Sequence, residues 1–91
     1  MALIKDQFAH PGLYKLYMQG AVVAGIAIPA SEQARCQRLL DMLEAMTDPD
    51  DLDLPGNNFS SSRNHYQVTV TGDSVITFSW RGGKAMDINY G

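Results

Sequence analysis

The period of the apolar residues changes from helical to two at Tyr66, and this switch narrows the fold more than any other feature of the chain. From there Tyr66, Val68 and Val70 alternate with Gln67, Thr69 and Thr71. Ile76, Phe78 and Trp80 alternate with Val75, Thr77 and Ser79, and Met86, Ile88 and Tyr90 alternate with Asp87 and Asn89. Successive side chains of a strand point to opposite faces. The pattern therefore predicts three antiparallel strands with one buried face and one open face. A two-residue Gly72-Asp73 loop would pair Val70 with Val75 and split the apolar set across both faces. A loop with an odd number of residues gathers Tyr66, Val68, Val70, Ile76, Phe78 and Trp80 on one side. The odd loop is the expectation, and it leaves Val75 on the polar face with Thr77 and Ser79.

A buried sheet face needs a cover, and the N-terminal half carries helical periods. Leu13, Leu16 and Tyr17 in HPGLYKLYMQG predict a short helix that stops at Gly20. In ASEQARCQRLLDMLEAMT, Cys36, Leu39, Leu40, Leu43 and Met46 form the apolar stripe of a longer helix. Pro29 suits its first turn, Ser31 and Glu32 favour its N-terminus, and Asp48-Pro49 ends it. Leu3-Ile4 with Phe8 reads as a short first strand. DPDDLDLPGNN is a turn-rich connector with Leu52 and Leu54 as anchors. The whole is an α+β fold, two N-terminal helices packed on one face of a small antiparallel sheet. At 91 residues it is a single domain, 1–91.

Charge and cysteine content remove several function classes. The net charge of −3 argues against general nucleic-acid affinity. Its distribution is uneven: residues 39–62 hold six acids and no Lys or Arg, while the rest holds seven basic residues against four acids. The lone Cys36 excludes an intrachain disulfide and, inside an apolar stripe, reads as a small core residue. The start carries no basic-then-apolar leader, and the apolar run AVVAGIAIPA is too short to span a bilayer. A cytoplasmic protein with no membrane partner is the expectation. Two distant histidines and one cysteine make no metal site. Neither a phosphate-binding Gly-rich loop with a lysine nor a Ser-centred elbow is present. No cofactor is expected.

Three stretches resemble, in the right order, the HigB-like toxins, a branch of the RelE superfamily of bacterial toxin–antitoxin systems. FAHPGLYKLYMQG is similar to the family's F-x-H-x-G-L opening. RCQRLLDMLEAMTDPDDLDLPG looks like its basic-rich helix and D-L/M-D-x-P-G connector. YQVTVTGDSVITFSWRGGKAMDINY follows its W-S-I-x-V-x-G-N-W-R-I-T-F-x-F and final D-Y pattern. The resemblance spans nearly the whole chain and implies a RelE-like domain.

It also implies a function. Such toxins cut mRNA on the ribosome without a metal, and a HigA-like helix-turn-helix antitoxin protein neutralises them. The ribose 2′-hydroxyl attacks the neighbouring phosphate, a base takes its proton, cations stabilise the phosphorane, and an acid protonates the leaving oxygen. This chain departs from the pattern at chemical positions. Asp73-Ser74-Val75 replaces N-W-R, so a valine stands where the family has a cation. Asn89-Tyr90 replaces the final Asp-Tyr, which keeps the tyrosine and loses the acid. Arg63 and His65, in the shortened loop after Pro55-Gly56, are the candidate substitutes. His65 would act as acid or base and Arg63 as a phosphate ligand. The candidate catalytic set is thus Tyr90, His65 and Arg63. Tyr90 is in phase with Met86 and Ile88, which fits a core tyrosine as well as a catalytic one. Arg35, Arg38, Arg81 and Lys84 are candidate RNA contacts, and RGGK also reads as a tight turn. His10 before Pro11 belongs to a turn or the start of a helix. The alternative function is a protein-interaction module that keeps the fold without the nuclease. The acidic stretch and the replaced residues favour it.

Overall fold

The computed structural model describes residues 3–19, 25, 26, 28–53, 57–71 and 74–91. Helix α1 spans Pro11–Gln19 and helix α2 spans Ala30–Ala45. They precede a meander of four antiparallel strands: β1 (Ser60–Ser62), β2 (His65–Thr69), β3 (Val75–Arg81) and β4 (Lys84–Tyr90). Both helices lie on one face of the sheet, as the alternation requires. Leu13 and Leu16 of α1 and Cys36, Leu39, Leu40 and Leu43 of α2 share one core with Val68, Ile76, Phe78 and Ile88.

The β2–β3 register pairs Thr69 with Val75, Val68 with Ile76 and Tyr66 with Phe78. Five residues therefore link the strands, and the odd loop holds. Val68, Ile76 and Phe78 are buried together, while Val75 lies opposite Thr69 on the open face. Tyr66 stacks on Phe78 with ring centroids 5.3 Å apart, and Phe59 stacks on Tyr66. The Gly72-Asp73 tip, the Gly20 helix stop and the Leu54 anchor lie outside the described residues.

Four expectations are corrected, the last of them in β4. Leu3-Ile4 and Phe8 do not form a strand. Lys5–Gln7 is a 3-10 turn, and Phe8 makes a single parallel bridge to Ile88. Gln7 explains the turn: its amide closes on the Ile4 N–H at 2.9 Å and donates to the Ala85 carbonyl at 2.8 Å, so the polar side chain is buried with its bonds made. Among the described residues the sheet has four strands, because Ser60–Ser62 adds an edge that no apolar alternation signals. Helix α2 ends at Ala45, before Asp48-Pro49. That pair instead opens a second 3-10 turn, Pro49–Leu52, with the Asp48 carboxylate accepting from the Asp50 N–H.

Helix α1 starts where His10 caps it, its Nδ1 accepting from the Leu13 N–H at 3.1 Å. Gly12 lies in the first turn because the chain passes very close. A Cβ there would sit 2.5 Å from the Ile26 carbonyl oxygen. Helix α2 is held at both ends by a phenol. The Tyr17 hydroxyl of α1 donates to Glu44 in its last turn, and the Tyr90 hydroxyl of β4 donates to Glu32 in its first turn at 2.5 Å.

Strand β4 carries an extra residue. Ser79 pairs with Met86 and Thr77 with Asn89, so Phe78 alone faces Asp87 and Ile88. This is a β-bulge, with Asp87 at a φ of 53°. The bulge resets the alternation. Ile88 and Tyr90 fall on the helix side with Ala85, whereas Met86 falls on the open face opposite Ser79. That placement corrects the reading that put Met86 in phase with Ile88 and Tyr90.

Candidate functional site

The sheet's open face is built from rows of paired residues. Ser62, His65, Ser79 and Met86 form one row across all four strands, and Ser60, Gln67, Thr77 and Asn89 form the next. The face is rich in hydroxyls and amides, and no Phe, Tyr or Trp lies in these rows. Two tight turns close one end of it. Arg63 and Asn64 have φ values of 49° and 68°, and Gly82 and Gly83 have 60° and 77°. Positive φ at both central positions marks type I′ turns, which match strand twist. Glycine accepts that geometry without cost, whereas Arg63 adopts it under strain.

Extending the β2–β3 register past His65 and Ser79 brings the Arg63–Asn64 turn alongside Trp80 and Arg81. The Asn64 side-chain oxygen accepts from the Trp80 N–H at 3.1 Å, as that placement requires. Lys84 pairs with Arg81 across the neighbouring turn. Arg63, His65, Arg81 and Lys84 therefore gather at one end of the sheet, and all four are exposed. The bulge contributes here: the Asp87 carboxylate accepts from Ser79 Oγ at 3.0 Å and from Arg81 Nη2 at 3.1 Å. This exposed ion pair adds little stability but gives the guanidinium a fixed neighbour.

Tyr90 lies elsewhere. It pairs with Ile76, three residues along β3 from the Ser79–His65 pair and on the opposite face. Its hydroxyl donates to Glu32, and the Ser74 hydroxyl, 3.1 Å away, donates back to it. His10 packs edge-on against its ring at 5.9 Å. Burial and the bond to Glu32 both push the phenol's pKa above its ordinary value. The geometry brings Arg63 and His65 together with Arg81 and Lys84, and it does not bring Tyr90 to them.

The remaining candidates take separate places. Arg35 Nη2 donates to Asn57 Oδ1 at 2.8 Å and to the Thr69 carbonyl at 3.3 Å, tying α2 to the end of β2. Arg38 is exposed, beside Tyr17 and Asp41. Cys36 is fully buried, and burial, with Glu32 nearby, pushes its thiol up to about 11. The geometry also reveals residues that the sequence did not offer. Asn57 is buried, donates to the Leu52 carbonyl at 2.9 Å and receives Arg35. Nothing local marks it. Asp87 had no signal in the sequence, where Met86, Ile88 and Tyr90 alternate without a break; the bulge shows in the burial of Ala85 and Ile88, three apart on one strand face, which an unbroken strand forbids.

Among the described residues no group of three His, Cys, Asp or Glu is placed to hold a metal, and no helix is long and apolar enough to cross a membrane. No family model and no curated protein matches the chain.

Proposed function

We propose that this chain is a divergent toxin of the HigB-like branch of the RelE superfamily, with weakened ribosome-dependent mRNA cleavage. The supporting observation is architectural. The three resembling stretches fall, in order, on α1, on α2 with its acidic connector, and on strands β2, β3 and β4, in the two-helix, one-sheet layout that the resemblance implies. In this reading the partners are an antitoxin protein of helix-turn-helix type and, in the cytoplasm, the ribosome with its mRNA.

The chemistry follows from the exposed basic end of the sheet. His65 takes the 2′-hydroxyl proton as the 2′-oxygen bonds to phosphorus, Arg63 with Arg81 offsets charge on the phosphorane, and the P–O5′ bond breaks with solvent water protonating the leaving 5′-oxygen at this exposed site. Val75 supplies no donor at the position where the family has an arginine. Loss of one such donor typically lowers the rate by about 10²–10³. Tyr90 holds α2 to β4 and takes no part in proton transfer. Induced expression in bacteria tests this directly. Slowed growth with ribosome-phased mRNA cuts, relieved by His65→Ala and retained in Tyr90→Phe, is the expected result. Cuts that persist in His65→Ala overturn the assignment.

One observation favours a second reading, a toxin-fold protein that acts only through protein contacts. The tyrosine carried over from the family is engaged by Glu32 and separated from His65 by the sheet. Harmless expression, no cleavage in a reconstituted ribosome assay and tight binding to a partner protein would select it.

A further inference from the structure

A concavity lies on the N-terminal side of the molecule, between the Lys5–Gln7 turn and the outer face of α1. It encloses about 560 Å³, within the range of small-ligand pockets. Its wall is aromatic: Phe8 and Tyr14 meet edge to face with centroids 5.5 Å apart, and both rings are half-buried. Lys5 and Lys15, two of the chain's three lysines, line it together with the carboxylate of Asp6. Both lysines are exposed.

We infer that this pocket binds a nucleoside monophosphate unit, with the base against Tyr14 and Phe8 and the phosphate between Lys5 and Lys15. The ring faces supply stacking that every base accepts, and the two ammonium groups supply the charge a phosphate needs. Asp6 adds direction. A carboxylate only accepts, so it favours a base edge with adjacent donors, and guanine presents N1–H and N2–H₂ side by side. Lys5, Asp6 and Phe8 belong to one short turn bonded to the sheet through Gln7 and Ile88, so the wall is preformed. This site is independent of the RNA-cutting reading, because it uses none of Arg63, His65, Arg81 or Lys84.

The unit can come from free nucleotide or from a strand of RNA. NMR titration of the whole chain with GMP, guanosine, inorganic phosphate and a short G-containing oligoribonucleotide separates these sources. The expected result is saturable, upfield-shifted Tyr14 and Phe8 ring resonances with GMP, and weaker binding of guanosine and of phosphate alone. Tighter binding of the oligonucleotide than of GMP assigns the strand as the source, and the reverse assigns the free nucleotide. Lys15→Glu, on the exposed face of α1, should weaken GMP several-fold while leaving guanosine unchanged. Tyr14→Ala should weaken both by about tenfold or more, and Tyr14→Phe should restore them. Phosphate binding as well as GMP, or no ring shift at millimolar GMP, overturns the inference.

Discussion

Tyr90 shows how one hydroxyl can be read two ways. At the end of the last strand it matches the tyrosine of the pattern that the chain resembles, yet its partners are Glu32 and Ser74, 58 and 16 residues away in sequence. A hydrogen bond to a charged acceptor contributes about 1.5–3 kcal/mol. Tyr90→Phe should therefore lower stability near neutral pH by about that amount, measured by urea unfolding. The pH dependence gives a sharper check. The folded phenol's pKa is raised by burial and by Glu32, so its contribution is intact below the ordinary tyrosine value of about 10 and is lost as pH rises through the folded value. The difference between wild type and Tyr90→Phe should shrink above pH 10. A difference that stays constant into alkali would show that the phenol is not held by Glu32. Tyr17, bonded to Glu44 and also raised, should behave alike.

At the scale of the element, β4 is governed by its extra residue. Asp87 occupies left-handed backbone, which Asp tolerates and a β-branched residue does not. Asp87→Val pushes the strand toward unbroken pairing. That pairing would set Ile88 opposite Thr77 on the open face and carry Tyr90 opposite Val75. Exposing a buried isoleucine alone costs about 1.5–3 kcal/mol. Deleting Asp87 removes the bulge yet keeps Ser79–Met86, Thr77–Asn89 and Ile76–Tyr90 paired as they are. The expected outcome is that the deletion destabilises less than Asp87→Val in thermal unfolding. Both variants lack the Asp87 bonds to Ser79 and Arg81, so the opposite order would mean that the left-handed backbone at this position does not set the strand's stability. The Arg63–Asn64 turn shows the same tension between geometry and chemistry. Asparagine suits its left-handed position better than arginine does, so the cation stands on a backbone that disfavours it.

For the whole molecule, Cys36 is a built-in probe. It is fully buried in the stripe of α2, and its thiol is pushed up to about 11, so the reactive thiolate is scarce at neutral pH. A thiol reagent should leave native protein unlabelled and should label it in urea with the midpoint seen by circular dichroism. Labelling well below that midpoint would reveal a partial opening of the layer between α2 and the sheet. The layered fold was legible in the sequence because period and parity act locally: Val68, Ile76 and Phe78 declare their face, and Leu39, Leu40 and Leu43 declare theirs. The strand of serines was not legible, because an exposed edge needs no apolar alternation. The site was only half legible. Arg63, His65, Arg81 and Lys84 were visible as candidates, but their gathering depends on two turns closing at the same end of the sheet. The separation of Tyr90 from them depends on a bulge and on a glutamate near the start of α2.

The two phenols give α2 a mechanical role. Helix ends fray first, because their terminal groups lack half of their partners. Here one end is fastened to the C-terminal strand and the other to α1. Tyr17 also accepts from the Leu3 N–H at 3.0 Å, so that second fastening reaches the first described residue. The helix is thus a strut between the two extremities of the described chain. A continuous run of bonds leads from Tyr90 to Glu32, along the helix to Glu44, and from there through Tyr17 to Leu3.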